Sequence, residues 1–265
     1  MSILDSLILG ILQGLTEFLP ISSSGHLILA GHVLGVSEMP LIFELIVHLA
    51  TLLAIVIVMR KTVWSLVKKP LQKTNALLIV ATIPTVIIFF IFRSLFESAM
   101  DGRFLIYCFG ITAILLLVSG TKRKVAKNKN ADTLKPLPTF IDAPIIGIAQ
   151  GVAGFPGISR SGITIATAKL LGVEQSKAAE FSFLLSVPII LGSSLFAIIE
   201  GSNSSFSGVS AVSLLVGFVT AFVTGLACVK FMLKLLQSRS MTPFAVYLII
   251  LVVFLIVNRF FLHLF

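Results

Sequence analysis

The sequence predicts an all-α polytopic membrane protein with an inverted-topology repeat, in which each half is a re-entrant helical hairpin plus three transmembrane helices. Three observations support this prediction. Of 265 residues, 57% are hydrophobic and 12% are charged, whereas about a quarter of the residues in soluble domains are charged. Six apolar stretches approach the roughly 20 residues that span a bilayer. One motif also occurs twice, 137 positions apart.

The repeat covers residues 10–36 and 147–173, where 13 of 27 aligned positions are identical without a gap. Self-similarity at a fixed offset is typical of repeat architectures. The copies differ at three positions that bear on chemistry, where the first has Glu17, Ser23 and His26 and the second has Gly154, Arg160 and Ile163. One copy therefore contributes an acid and a histidine, and the other contributes a cation.

The predicted transmembrane helices follow the apolar stretches in chain order. They are Leu41–Met59, Ala76–Phe92, Phe104–Gly120, Phe181–Ile199, Val209–Cys228 and Pro243–Val257. The repeated stretches differ, because each has two short apolar runs separated by Pro, Gly and Ser. These runs are Ile3–Phe18 with Leu27–Leu34, and Ile141–Phe155 with Ile163–Leu171.

Each interrupted stretch predicts a re-entrant hairpin whose tip lies inside the membrane. Non-helical backbone at membrane depth is tolerated only where it is buried in protein or lines a wet cavity. Two kinked spanning helices with Pro-Gly bends are the alternative. Three spanning helices separate the two motifs, so the hairpins enter from opposite sides and both tips approach the midplane, as in an inverted repeat.

Basic residues predict the orientation of the chain. One side of this topology carries 15 Lys and Arg residues, and the other carries only Arg93, Arg103 and Arg259. By the positive-inside rule the first side is cytoplasmic. The single membrane domain 1–265 then consists of repeat one (1–120), a cytoplasmic linker (121–139) and repeat two (140–265).

Other features exclude some classes of protein. The net charge of +9 does not indicate nucleic-acid binding, because the basic residues lie in short loops between apolar runs. Cys108 and Cys228 lie inside apolar runs without metal-ligand spacing. Residues 1–6 contain Asp5 but no Lys or Arg, so the basic start of a cleaved signal peptide is missing and we expect the first apolar stretch to be retained.

The first tip carries an acid, serines and a histidine. Gln13 and Glu17 are four residues apart and share a helix face, and a carboxylate at membrane depth is by default a functional candidate. A hydrogen-bonded structural glutamate is the alternative. Ser22-Ser23-Ser24-Gly25 opens the next short helix, whose N-terminus favours an anion. His26 is a candidate acid, base or nucleophile, unless it only hydrogen-bonds a carbonyl.

The second tip, residues 156–164, repeats the serines and adds Arg160, the only Lys or Arg in either tip. A guanidinium suits bidentate phosphate binding, with a structural pair to Glu17 as the alternative. Glu44 and His48 form another pair at helical spacing, which a shared cavity or solvation at the interface would explain.

Together the tips suit a phosphate group. They would serve phosphoryl transfer through electrostatic clamping and a positioned nucleophile, or anion binding without chemistry. The competing function is a secondary transporter or flippase for a lipid phosphate or another anion, because inverted repeats with broken helices are typical of transporters. A structural scaffold would not explain charged residues at both tips.

The motifs resemble those of the undecaprenyl-diphosphate phosphatase family, bacterial integral membrane enzymes associated with bacitracin resistance. That family has an (E/Q)xxxE motif, a serine-rich turn with a histidine, and a PGxSRSxxT motif. Here these stand as Gln13-xxx-Glu17, Ser22-Ser23-Ser24-Gly25-His26 and Pro156-Gly157-Ile158-Ser159-Arg160-Ser161-Gly162-Ile163-Thr164. The stretches that begin at Phe43 and Phe181 extend the resemblance along the chain.

The resemblance implies hydrolysis of undecaprenyl diphosphate to undecaprenyl phosphate and inorganic phosphate, which recycles the carrier lipid for peptidoglycan and other cell-wall polymers. It also implies a multi-pass protein of the bacterial cytoplasmic (inner) membrane, with an active site open to the periplasmic side and a divalent cation, Mg²⁺ or Ca²⁺. The expected partners are the polyprenyl diphosphate substrate and the bilayer, with no nucleic acid. A homodimer is left open.

Transferred residue by residue, the resemblance implies catalytic roles for Glu17, His26, Ser22, Ser23, Ser159, Arg160 and Thr164, and substrate contacts for Gln13, Ser24, Gly157, Ser161 and Gly162. Glu17 is the only acid of its motif and the candidate metal ligand, so diphosphate and water would supply the other ligands. The attacking group is a serine (Ser22, Ser23 or Ser159), His26, or water activated by His26 with Glu17. We favour a serine assisted by His26.

Overall fold

The computed structural model describes residues 1–36, 39–126, 134–200 and 209–262. Within these ranges every regular element is helical. The helices are α1 (Ile3–Thr16), α2 (Ser23–Leu34), α3 (Leu41–Val58), α4 (Arg60–Lys68), α5 (Lys73–Ser98), α6 (Leu105–Ala126), α7 (Asp142–Val152), α8 (Arg160–Leu170), α9 (Gln175–Glu200), α10 (Ala211–Ser238) and α11 (Thr242–Val257), followed by a π-helical turn (Asn258–Leu262). The central part of the predicted linker, 127–133, lies outside the described residues.

Among the described residues, five helices are long and apolar enough to cross a bilayer, which confirms a multi-pass membrane protein. They are α3, α5, α9, α10 and the segment Thr242–Phe261. The sixth predicted span corresponds to α6, whose apolar part, Leu105–Gly120, is shorter than the others. Helices α5 and α9 run beyond the predicted bounds to 26 residues each, with Pro84 and Pro188 in their interiors.

The short helix α4 is not predicted from the sequence, because its basic residues are expected in a loop between two apolar runs. None of its residues is buried, and Trp64 and Val67 are exposed. The Lys68 ammonium lies 5.1 Å from the centre of the Trp64 ring. Aromatic and basic side chains together are typical of the interface between bilayer and water, so α4 suits a position on the membrane surface.

The repeated stretches form two helical hairpins, α1 with α2 and α7 with α8, each interrupted between its helices. A serine caps the second helix of each pair. Ser22 Oγ accepts a hydrogen bond from the Gly25 N–H at 3.4 Å, and Ser159 Oγ accepts one from the Gly162 N–H at 3.1 Å. Serine is a preferred N-cap because its oxygen satisfies a backbone donor that the helix leaves free.

Equivalent glycines of the two copies let each hairpin pack closely against a long helix of the other half. A Cβ at Gly10 would lie 2.6 Å from the Gly217 carbonyl oxygen of α10, and one at Gly147 would lie 2.0 Å from the Ala81 carbonyl oxygen of α5. Small residues allow such backbone approach between membrane helices. The two sequence repeats therefore interlock, and tip residues such as Ser22 and Ser159 are buried.

Candidate active site

The two interruptions contact each other. The Gly157 N–H donates to Ser22 Oγ at 3.1 Å, and Ser161 Oγ donates to the Leu19 carbonyl oxygen at 3.0 Å. A Cβ at Gly25 would lie only 2.9 Å from Gly157 Cα. These contacts join segments that are more than 130 residues apart in sequence, so the tips form one structure.

Ser22 is strained at this junction. Its φ of 71° makes it the single non-glycine residue with positive φ in the described part of the chain. Such a conformation costs about 1–3 kcal/mol and persists only where the surroundings enforce it. Ser22 Oγ accepts hydrogen bonds from both Gly25 and Gly157, so this hydroxyl is used to hold the two tips together.

A buried ion pair also crosses between the tips, from Arg160 Nη2 to Glu17 Oε1. The other carboxylate oxygen, Oε2, accepts hydrogen bonds from Gln13 Nε2 at 3.0 Å and from Ser23 Oγ at 2.6 Å. The Glu17 side chain is 4% exposed and that of Arg160 is 17% exposed. The Ser23 hydroxyl is thus the one serine donor to this carboxylate among the described residues.

His48 also faces Glu17. Its Nε2 lies 3.8 Å from Glu17 Oε2, and its Nδ1 lies 2.8 Å from the Glu44 carbonyl oxygen. A carbonyl oxygen only accepts, so Nδ1 carries a hydrogen and donates it. In the neutral ring Nε2 is then an acceptor directed at the carboxylate. The helical spacing of Glu44 and His48 left two explanations open, a shared cavity or solvation at the interface. In the structure both residues line the same cavity.

A cavity of about 470 Å³ lies in front of these groups. Its polar end is formed by Glu17, Ser22, Ser23, Ser24, Glu44, His48, Ser159 and Arg160. Away from this group the lining from α5 and α9 is mainly apolar, and it includes an aromatic cluster in which the Phe196 ring meets Phe89 and Phe90 edge-on. One cavity therefore has a charged, hydroxyl-rich end and an aromatic end.

Half of the residues assigned to the site from the sequence line this cavity, and half lie behind it. Glu17, Ser22, Ser23, Ser24, Ser159 and Arg160 line it. Gln13, His26, Gly157, Ser161, Gly162 and Thr164 do not. Thr164 Oγ1, for example, donates to the Arg160 carbonyl oxygen at 2.8 Å and lies 2.6 Å from Ser182 Oγ. The second group supports the residues that face the cavity.

His26 differs from His48 because both of its ring nitrogens have partners. Nδ1 lies 2.7 Å from the Ser22 carbonyl oxygen, and Nε2 lies 2.7 Å from the Tyr247 hydroxyl. The ring stacks on Tyr247 and meets Phe109 edge-on, with centroid separations of 5.7 and 5.3 Å. The structure brings His48, rather than His26, to the cavity next to Glu17.

Thr85 and Gln150 also line the cavity, although neither is among the site residues predicted from the sequence. Gln150 Nε2 donates to Thr85 Oγ1 at 3.0 Å, and Gln150 Oε1 is buried without a partner. Gln150 is the repeat counterpart of Gln13, whose Oε1 is also buried without a partner. In the sequence, the repeat relation to Gln13 is the feature that could have indicated Gln150 as a site residue.

The carboxylates that line the cavity would supply only part of the ligands of a hard cation. Mg²⁺ is usually held by one or two carboxylates together with substrate phosphates, and Glu17 and Glu44 both line the cavity. Both oxygens of Glu17 already accept hydrogen bonds, so Glu44 is the freer carboxylate. The described residues contain no group of three or more His, Cys, Asp and Glu that could hold a metal ion by itself.

Fold and site together define a multi-pass membrane protein whose charged cavity lies where two interrupted helical hairpins meet. The chain matches the family model of the bacitracin resistance protein BacA over residues 6–254, and it belongs to that family.

Named relatives agree over nearly the full length. The chain is 39% identical over 261 residues to an undecaprenyl-diphosphatase of Carboxydothermus hydrogenoformans, covering 97% of both chains. It is 38% identical over 263 residues to an undecaprenyl-diphosphatase of Treponema denticola, covering 94% of both. It is 40% identical over 248 residues to undecaprenyl-diphosphatase 4 of Bacillus thuringiensis, covering 93% of both.

Proposed function

We propose that this protein hydrolyses undecaprenyl diphosphate to undecaprenyl phosphate and inorganic phosphate, and so returns the carrier lipid to cell-wall synthesis. The observation that carries the proposal is the two-ended cavity, with Glu17, Arg160 and serines at one end and Phe89, Phe90 and Phe196 at the other. A diphosphate attached to an isoprenoid chain has the same division between charged and apolar parts. The family and the names of its members support the same activity.

The polar end suits the diphosphate. The N-termini of α2 and α8 begin at Ser23 and Arg160, and backbone N–H groups at a helix N-terminus favour an anion. The Arg160 guanidinium adds a charged planar donor that can bind phosphate oxygens in a bidentate manner. These groups would hold the terminal phosphate and stabilise the charge that spreads over its oxygens in the transition state.

Ser23 is our candidate nucleophile. Its Oγ donates to Glu17 Oε2, whereas Ser22 and Ser159 use their oxygens to accept backbone hydrogen bonds. In the proposed step Ser23 Oγ bonds to the terminal phosphorus, the bond from that phosphorus to the bridging oxygen breaks, and undecaprenyl phosphate leaves. The serine proton passes to Glu17. Water then hydrolyses the phosphoserine and releases inorganic phosphate.

His48 would take the proton from Glu17, because its Nε2 faces Oε2 at 3.8 Å. We expect His48→Phe to lower kcat about 100-fold, the lower end of what general acid–base catalysis contributes. Thr82→Val is the control, because Thr82 lines the same cavity but its hydroxyl donates to the Leu78 carbonyl oxygen of its own helix. Steady-state phosphate release measures both, and equal turnover of the two variants would remove His48 from the mechanism.

His26 would act as a positioning residue. Its Nδ1–H holds the carbonyl of the strained Ser22 next to the nucleophile, and its occupied nitrogens favour this role over proton transfer. The expectation of a serine assisted by His26 is therefore revised to a serine assisted by Glu17 and His48. The His48→Phe assay above separates the two assignments.

A divalent cation fits the polar end as a neutralising charge. Glu44 and Glu17, together with the substrate oxygens, would hold it, in the manner usual for Mg²⁺. When bound, it would stabilise negative charge on the diphosphate oxygens. The protein supplies the rest of the electrostatic stabilisation through Arg160 and the two helix N-termini.

We further propose that the halves form an inverted repeat of re-entrant hairpins within one membrane domain, with the cavity open to the periplasmic side. The equivalent contacts of Gly10 with α10 and Gly147 with α5 support the repeat. The 15 to 3 distribution of basic residues supports the orientation. In this orientation the N-terminus faces away from the cytoplasm and the linker faces the cytoplasm. Labelling single cysteines at Ser2 and Lys135 in intact cells with a membrane-impermeant thiol reagent tests it, since only Ser2 should react from outside.

Transport of a lipid phosphate is the second candidate, because a site between inverted repeats is typical of secondary transporters. The deciding experiment measures inorganic phosphate released from a long-chain polyprenyl diphosphate by purified protein, with and without EDTA. We expect release that EDTA abolishes and that added Mg²⁺ or Ca²⁺ restores. Folded protein that binds the lipid but releases no phosphate with either cation would favour transport.

A further inference from the structure

A second cavity lies away from the tips. It has a volume of about 270 Å³, opens to the surface, and is bordered by α2, the turn between α5 and α6, the start of α6, and the end of α11 with its π-helical turn. Its lining contains three basic side chains from three separate elements, His32, Arg103 and Arg259. No step of the proposed reaction uses this cavity.

The convergence of arginines here is unusual for this chain. The sequence places only three Lys or Arg residues on the side predicted to face away from the cytoplasm, and two of them, Arg103 and Arg259, line this cavity. The third, Arg93, is already neutralised. Its Nε donates to Glu97 at 2.6 Å and its Nη1 donates to Glu200 at 2.7 Å.

The cavity keeps a positive charge. Arg103 pairs with Asp101, with 2.7 Å between Nε and Oδ2, and hydrogen bonds from the Arg103 side chain hold the pKa of the Asp101 carboxyl below its usual value. The Arg259 guanidinium and the His32 ring make no hydrogen bond or ion pair within the described ranges. The charge of Arg259 is therefore not paired with an acid among the described residues.

Apart from Gly102 and the polar side chain of Asn258, the remaining lining residues are aliphatic. Leu29, Leu105, Ile106 and Leu255 line the same cavity as the basic groups. Positive charge beside aliphatic side chains at the end of membrane helices suits a ligand with a phosphate group on a hydrocarbon chain. Basic pockets between transmembrane helices on the cytoplasmic side of membrane proteins bind anionic lipid headgroups, and the same pairing of charges is available on the opposite side.

We infer that this cavity is a second binding site, separate from the active site, for the phosphate group of an anionic membrane lipid. The phosphate would lie between Arg103 and Arg259, and the start of the lipid chain would lie against Leu29 and Leu255. The π-helical turn at 258–262 carries Arg259, and such turns are frequent at functional sites. Because α2 begins with the serines of the tip, an occupant would contact the far end of the helix that carries Ser23.

The test counts bound lipid by native mass spectrometry of purified protein with phosphatidic acid. Arg160→Ala is the background, so that binding in the main cavity does not contribute. We expect this protein to retain one phosphatidic acid and to bind phosphatidylcholine more weakly. Adding Arg103→Gln and Arg259→Gln should weaken phosphatidic acid binding about 30-fold, because each arginine near a membrane surface contributes about fivefold.

Arg93→Gln in the same background is the matched control, since it removes one arginine from the same side outside the cavity. Unchanged binding in this control supports the site. Equal affinity of the double variant and the background protein, or an equal loss in the Arg93→Gln control, would overturn it. Inorganic phosphate in excess distinguishes the source of the phosphate group: no displacement supports a lipid, and full displacement overturns the assignment to a lipid.

Discussion

Replacing Ser23 by Ala is expected to lower kcat for phosphate release at least about 1,000-fold, because loss of a nucleophile leaves only the stabilisation that binding provides. The hydroxyl that donates to Glu17 at 2.6 Å disappears, while Arg160 keeps its ion pair. KM should change little, since the phosphate-binding groups remain. The measurement is steady-state release from a polyprenyl diphosphate.

Ser193→Ala is the matched control for this variant. Ser193 lines the same cavity, but its hydroxyl donates to the Ile190 carbonyl oxygen of its own helix at 3.1 Å. We expect its turnover to stay within about threefold of wild type, as is usual for substitutions away from the chemistry. Mass spectrometry of rapidly quenched wild-type protein should also detect phosphate on Ser23. Near-normal kcat for Ser23→Ala would instead indicate direct attack by water.

Replacing Arg160 by Lys is expected to lower kcat about 1,000-fold, within the range that a single arginine supplies to phosphoryl transfer. The guanidinium contacts Glu17 and faces the cavity at once. An ammonium is a point charge that cannot reproduce this planar arrangement of donors. The variant retains the positive charge, so the experiment isolates geometry from net charge.

Arg93→Lys controls for the general effect of this substitution. Arg93 also pairs with two acids, Glu97 and Glu200. It lies near the end of α5 and does not line the cavity. Thermal unfolding in detergent should accompany both assays, because breaking a buried ion pair destabilises a protein by about 3–5 kcal/mol. A folded Arg160→Lys variant with near-normal turnover would contradict the proposed binding of the phosphate by the planar Arg160 guanidinium.

Local patterns in the sequence determined the class of the protein and selected six residues that line the cavity. Apolar stretches of spanning length identify membrane helices because a bilayer has a fixed thickness, and five such helices are observed. The repeated motif identified both interrupted hairpins. Spacing along a helix placed Gln13 next to Glu17, and the structure has this hydrogen bond at 3.0 Å.

Only the tertiary structure decided which residues face one another across the bundle. From the sequence, Arg160 could bind a phosphate or pair with Glu17. The structure pairs it with Glu17, which lies 143 residues away in the chain. His26 and His48 have the same chemistry in sequence, yet one is enclosed by Tyr247 and the other faces the carboxylate. Helical periodicity gives the neighbours of a residue on its own helix, whereas the direction in which that face points depends on how distant helices pack.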